Sequence, residues 1–155
     1  MKVRTIALTL MLCLLGLSAA FAAENLNMGT WKLNEAKSKI PAGVGKNTTV
    51  VYSAAGDEMK VTTDGVDASG KPTQSEWTGK FDGKPYPVTG MSSVDARAVT
   101  AKGDRTLEIA NMKDGKTVST AKVELAKDGK SRTLDTDGMT SDGKKAHAKY
   151  VYDKQ

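Results

Sequence analysis

The sequence predicts an all-β protein: a single up-and-down antiparallel β-barrel of about nine or ten strands, with at most one short helical turn. Three observations predict it. Short segments alternate apolar and polar residues with a period of two, and no stretch after residue 23 holds a long helical period. Six Asp-Gly dipeptides punctuate those segments, beginning at Asp64, Asp82, Asp114, Asp128, Asp137 and Asp142. Asp-Gly readily adopts the positive φ that a tight hairpin requires. Finally, an open sheet of so many strands would expose two edges and an apolar face, and closure removes both problems.

The chain opens outside that pattern. Lys2 and Arg4 precede an apolar run from Ile6 to Phe21, and Ala20-Phe21-Ala22 places small residues where a signal peptidase cuts. Residues 1–22 therefore read as a secretory signal peptide, and residues 23–155 as one folded domain. The single cysteine, Cys13, lies inside the apolar run and reads as a filler of the signal core. The expected location is the periplasm or the exterior, with no stable membrane insertion once the signal is removed. With no cysteine after Cys13, the exported domain must be held by core packing alone.

Gly29 to Leu33 is the first expected strand. Asn34 to Gly45 follows, with room for one helical turn capped by Asn34 and ended by Pro41 and Gly43. Thr48 to Ser53 and Glu58 to Asp64 come next, the latter placing Met59, Val61 and Thr63 on one face. Thr73 to Phe81 directs Ser75, Trp77, Gly79 and Phe81 inward. Pro85 to Val88 carries two prolines and must be an edge or irregular strand. Val94 to Ala101, Arg105 to Asn111, Lys116 to Ala126 and Arg132 to Asp137 follow. The last, Lys144 to Asp153, has the cleanest alternation: Ala146, Ala148, Tyr150 and Tyr152 share the inward face, and Lys145, His147, Lys149 and Val151 the other.

Composition excludes several classes of function. Without Lys2 and Arg4, the 23 basic side chains against 18 acidic ones leave a net charge of +3. That charge is spread over hairpin tips such as Lys84, Lys116, Lys130 and Lys144, with no basic run and no interleaved aromatics, so nucleic acid is not an expected partner. His147 is the lone histidine, flanked on its own face by Lys145 and Lys149, and supports neither a metal site nor a Ser-His-Asp set. The segment Thr133 to Lys144 only half-matches a calcium loop, with Thr133 and Lys144 where carboxylates belong. No enzyme activity, metal or cofactor is expected, and the protein is expected to be a monomer.

The inward aromatics suggest a different role. Trp77, Phe81, Tyr150 and Tyr152, with Met59, fall on faces whose other positions hold small residues: Ala96, Ala98, Ser119, Ala121, Ala146 and Ala148. A barrel of this strand number is wider than side chains of that size can fill, and the remaining space would form a ligand site. These five residues are the expected cavity lining. Trp31, near the chain start, reads as a structural plug at one barrel end.

Gly29-Thr30-Trp31-Lys32-Leu33 resembles the opening strand of the calycin barrels: the Gly-x-Trp of lipocalins and, more fully, the Gly-Thr-Trp-Lys-Leu of intracellular fatty-acid-binding proteins. Tyr150-Val151-Tyr152-Asp153-Lys154 resembles the last strand of the latter. The longer opening through Asn34 and Lys39 resembles exported bacterial proteins of the lipocalin-like kind. The resemblance implies a barrel that carries a small apolar or amphiphilic molecule. It also has gaps. Tyr150 and Tyr152 stand where fatty-acid-binding proteins use an Arg-x-Tyr pair, and the last strand holds no arginine to cover Trp31, as lipocalins require. The alternative is an envelope or secreted interaction protein with a solid core, which would bind a protein or polymer through loops such as Pro41 to Lys46 and a patch at Tyr86 and Pro87.

Overall fold

A computed structural model of the chain describes residues 25–140 and 142–155. The expected signal peptide, residues 1–22, and Cys13 within it lie outside the described residues. The strands are β1 (Gly29–Leu33), β2 (Lys46–Ala55), β3 (Glu58–Val66), β4 (Pro72–Gly79), β5 (Asp82–Thr89), β6 (Ala96–Ala101), β7 (Thr106–Lys113), β8 (Lys116–Leu125), β9 (Ser131–Met139) and β10 (Lys145–Lys154). Each pairs antiparallel with its neighbour in sequence, and β1 pairs with β10, closing a ten-stranded barrel. One 3-10 turn, Glu35–Lys37, is capped by the Asn34 side chain, which accepts from the Lys37 backbone N–H at 3.2 Å.

Turn chemistry explains part of the Asp-Gly repetition. Asp114 and Gly115, both at positive φ (49° and 73°), form the two-residue β7–β8 hairpin, as a primed turn demands. Asp128-Gly129 and Asp142-Gly143 lie in the next two connections. Asp64-Gly65 and Asp137-Gly138 do not turn the chain; they lie within β3 and β9. Gly65 has a different role. A Cβ there would stand 2.2 Å from the Lys46 carbonyl oxygen, so glycine permits close approach of β2, whose register shifts between Asn47 and Thr49.

The two ends of the barrel differ. At the end where the chain enters β1 and leaves β10, the core is sealed. Trp31 is fully buried, and its indole N–H donates to the Asn27 carbonyl at 2.8 Å. The Arg132 guanidinium, from β9, lies 4.6 Å from the Trp31 ring, 4.7 Å from Tyr52 and 5.3 Å from Tyr152. The arginine sought over Trp31 in the last strand therefore comes from the strand before it. Planar and only weakly hydrated, a guanidinium can be stacked among rings in this way.

Closure must overcome two thin places. β1 has five residues, whereas its neighbours β2 and β10 have ten each. Beyond Leu33 the backbone adds an Asn34 N–H bond to the Val151 carbonyl and a Lys39–Lys149 bridge. Side chains cross the rest of the gap: Tyr150 donates its hydroxyl to the Gly45 carbonyl at 2.8 Å, and Tyr152 to that of Asn47 at 3.0 Å. Burial raises both phenol pKa values above the ordinary range, so both remain protonated donors; the Arg132 charge offsets part of the effect at Tyr152. The second thin place is β5. Pro85 and Pro87 remove donors there, and β4 pairs with β5 only at Glu76–Thr89 and Trp77–Val88. The Trp77 indole N–H reaches past β5 to the Arg97 carbonyl on β6, at 3.0 Å.

The seam hydroxyl of Tyr152 can be removed without changing the ring. Tyr152→Phe leaves the Asn47 carbonyl without this donor, and stability should fall by about 0.5–1.5 kcal/mol in urea unfolding. A variant as stable as the parent would show that the hydroxyl does not latch the seam.

Candidate functional site

Opposite the sealed end, the barrel is hollow. A cavity of about 490 Å³ opens between segment 44–46, the β3–β4 and β5–β6 connections and the end of β9. Its size falls within the roughly 300–1,000 Å³ typical of small-molecule sites. The cavity exists because inward positions are small just where the strands spread: Ala121, Ser119, Ala146 and Ala148 line it, as alternation in β8 and β10 predicts. The apolar wall is completed by Val61, Ile109, Val123 and Leu134.

The five residues expected on the wall separate into two groups. Tyr150 and Tyr152 line the cavity, although their hydroxyls already serve the carbonyls of Gly45, just before β2, and Asn47 within it. Trp77, Phe81 and Met59 face inward but are not among the residues that line it. They pack into the core beside the irregular strand. Trp77 stacks on Phe81 with ring centroids 6.2 Å apart, and meets Tyr86 edge-on at 6.0 Å. The physical reason is β5: a strand that cannot complete its hydrogen-bond ladder is buttressed by aromatic bulk, which leaves no free space there. Tyr86 belongs to this cluster too, half-buried, and donates its hydroxyl to Asp82 at 3.1 Å, while Pro87 beside it is exposed.

The face of β6 is opposite to expectation. Arg97 lines the cavity and Val99 is buried, which by alternation turns Ala96 and Ala98 to the outer face. Arg97 Nε donates to Asn111 Oδ1 at 2.7 Å, and Asn111 Nδ2 in turn donates to Ser119 Oγ at 3.0 Å. Across three neighbouring strands these residues form a connected polar shelf. On the opposite wall, the Thr63 and Ser75 hydroxyls bond each other at 2.7 Å. Arg97 is only partly buried by accessible surface because the cavity opens on it, yet desolvation by the surrounding protein lowers its pKa from the ordinary value. Tyr52, Arg97, Asn111 and Arg132 are among the cavity residues that sequence reasoning missed. The one available signal was the inward run Arg132, Leu134, Thr136 on β9, which interrupts an otherwise apolar-inward pattern.

His147 stands on the outer surface, as expected, but not merely between lysines. Its Nδ1 lies 2.9 Å from Asp137 Oδ1 and its Nε2 3.7 Å from Asp135 Oδ1, both on the paired strand β9. Among the described residues no group of three or more His, Cys, Asp or Glu side chains is arranged to hold a metal ion.

The division between solid and hollow regions can be tested at Gly79. A Cβ there would lie 2.5 Å from Tyr86 Cγ and 2.8 Å from Trp77 Cζ2. Gly79→Ala should overpack the aromatic cluster and lower stability by about 1–3 kcal/mol in thermal or urea unfolding. An unchanged unfolding midpoint would mean the cluster is loose.

No protein-family model matches the chain, and no curated protein matches it. The similar solved structures include redesigned β-barrels. A redesigned β-barrel, b11L5F_LGL, is 16% identical, with 84% of this chain and 92% of that chain covered, at a TM-score of 0.43. EF1p2_mFAP2b bound to DFHBI is 11% identical, covering 84% and 94%, at a TM-score of 0.46. The redesigned barrel mFAP1 bound to DFHBI is 15% identical, covering 83% and 95%, at a TM-score of 0.43. At such low identities and scores they add nothing to the barrel seen directly in the chain's own strand pairing.

Proposed function

We propose that this protein is an exported binding or carrier protein that holds a small apolar or amphiphilic molecule inside its barrel, in the periplasm or outside the cell. The observation that carries this reading is the cavity of about 490 Å³, open at one end and sealed at the other by Trp31 and Arg132. An open mouth admits a ligand, the sealed floor stops it, and the apolar wall gains from its burial. The export step rests on the basic, apolar and small-residue layout of residues 1–22.

The chemistry of the wall favours binding over catalysis. Asp67, at the mouth, is the one carboxylate lining the cavity among the described residues, and it is committed to its own turn. Its Oδ1 accepts from the Ser69 hydroxyl and from the backbone N–H groups of Ser69 and Lys71, and these bonds, the Ser69 hydroxyl's first, hold its pKa below the ordinary value. A carboxylate so occupied is a poor general base near neutral pH. The rival reading, a solid-core interaction protein, draws no support from a hollow interior.

Filling the cavity tests the proposal. Ala121 lies midway up the wall, paired with Ile109 and Thr136. Ala121→Phe should raise the Kd for the neutral fluorescent probe N-phenyl-1-naphthylamine by about tenfold or more, while circular dichroism shows an intact β-protein. Undiminished probe binding by the folded variant would place the binding elsewhere and overturn the carrier reading.

A further inference from the structure

Two guanidinium groups line the cavity, and neither has a carboxylate partner. Among the described residues the ion pairs all involve Lys or His. Arg132 is enclosed by rings: it is 4% exposed, and its Nε and Nη1 are buried without acceptors among Trp31, Tyr52 and Tyr152, out of a ligand's reach. Arg97 is different. Its Nε is anchored on Asn111, which is anchored on Ser119, so the plane of the guanidinium is held. Its Nη2 meets only the Met91 sulfur, at 3.9 Å, a weak acceptor beside the mouth. A fixed guanidinium edge with no oxygen acceptor therefore faces the cavity.

A guanidinium held on a half-enclosed cavity wall with no counter-charge is left unneutralised in the empty protein. A neutral side chain could hold Asn111 without that charge. We infer that the occupant of the cavity is an anionic amphiphile, and that the free edge of Arg97 binds its charged head. This rests on the carrier reading and narrows it to one ligand class, a carboxylate, sulfonate or phosphate ester joined to an apolar body. The planar fork matches two oxygens of such a head at once. The second arginine raises the positive potential of the whole cavity, and the one carboxylate on the wall, Asp67, sits at the mouth.

The layout also sets the ligand's orientation. Arg97, Asn111 and Ser119 lie toward the mouth, whereas Ile109 and Val123 lie one or two inward positions deeper on β7 and β8. The head is held at the shelf and the apolar body extends toward the floor. The chain's resemblance to fatty-acid-binding proteins would have put such an anchor in the last strand. Here it is on β6, near the opposite side of the strand order.

A matched pair of probes isolates the head group. 1-Anilinonaphthalene-8-sulfonate and N-phenyl-1-naphthylamine share one aromatic skeleton and differ by the sulfonate. The full exported domain should bind the sulfonate form about tenfold or more tightly than the neutral form, the size of one charge-assisted hydrogen bond. Arg97→Gln, which keeps a donor for Asn111, should collapse that ratio toward one, and Arg97→Lys should keep part of it. Ala121→Phe should abolish the difference, which excludes adsorption on surface lysines. Equal affinities for both probes in the parent protein, or a preference that survives Arg97→Gln, would overturn the anionic assignment and leave the carrier reading standing. Failure to bind either probe would overturn both.

Discussion

Everything in this barrel depends on closing a ten-stranded sheet through a first strand only five residues long. A backbone ladder of that length cannot seal a seam between two strands of ten. The Trp31–Arg132 stack and the two tyrosine hydroxyls from β10 supplement the few backbone bonds that Asn34 and Lys39 add beyond β1. Trp31 fixes the sealed end, Arg132 ties β9 to β1 and β2 through rings, and Tyr150 and Tyr152 fasten β10 to carbonyls at Gly45 and Asn47. After a single bridge between Lys39 and Lys149, residues 40–45 leave the sheet, and Val44 and Gly45 shape the mouth of the cavity. Seam and binding site are thus one arrangement, because the tyrosines that latch the barrel also form part of its wall.

The second weak place is handled by the same physics with the opposite result. Prolines in β5 interrupt its ladder, and Trp77, Phe81, Met59 and Tyr86 crowd against the interruption. Aromatic bulk substitutes for hydrogen bonds there, and the interior is consequently solid. Bulk on the β4–β5 side and small residues on β8 and β10 make the interior asymmetric. A barrel of this strand number has more internal volume than its side chains fill, and the distribution of large and small residues decides where the unfilled volume lies.

Much of the fold was legible in the sequence because strands declare themselves by alternation. Gly29 to Leu33 has the expected limits, the capped turn at Asn34 is present, and β3, β8 and β10 point the expected residues inward. Legibility failed where a local rule met a tertiary exception. Asp64-Gly65 looks like a turn but supplies close strand approach, a fact about β2 rather than β3. On β6, alternation was right and its phase was wrong: arginine was assigned to solvent and alanine to the core, whereas the wall of a polar-lined cavity reverses that preference at Arg97. Arg132 was overlooked because its partners, Trp31, Tyr52 and Tyr152, come from three strands distant in sequence or separated by a turn. The aromatics seemed the natural lining because they are large and apolar, but large apolar side chains are the ones that eliminate space.

A hollow interior with two unpaired guanidinium groups is not the most stable use of this scaffold. Empty space forfeits dispersion contacts, and a desolvated cation without a carboxylate is disfavoured. No cysteine follows Cys13, so no disulfide within residues 23–155 offsets these losses. Stability must come from a ladder of ten antiparallel pairings that ends on itself and so has no free terminal strand. Closure therefore has two consequences at once. It supplies the cooperative backbone network that tolerates a void, and it surrounds Arg97 with enough protein to make a charge-assisted hydrogen bond from it stronger than the same bond in water. A solid core would have been easier to fold and would have had no such group to offer.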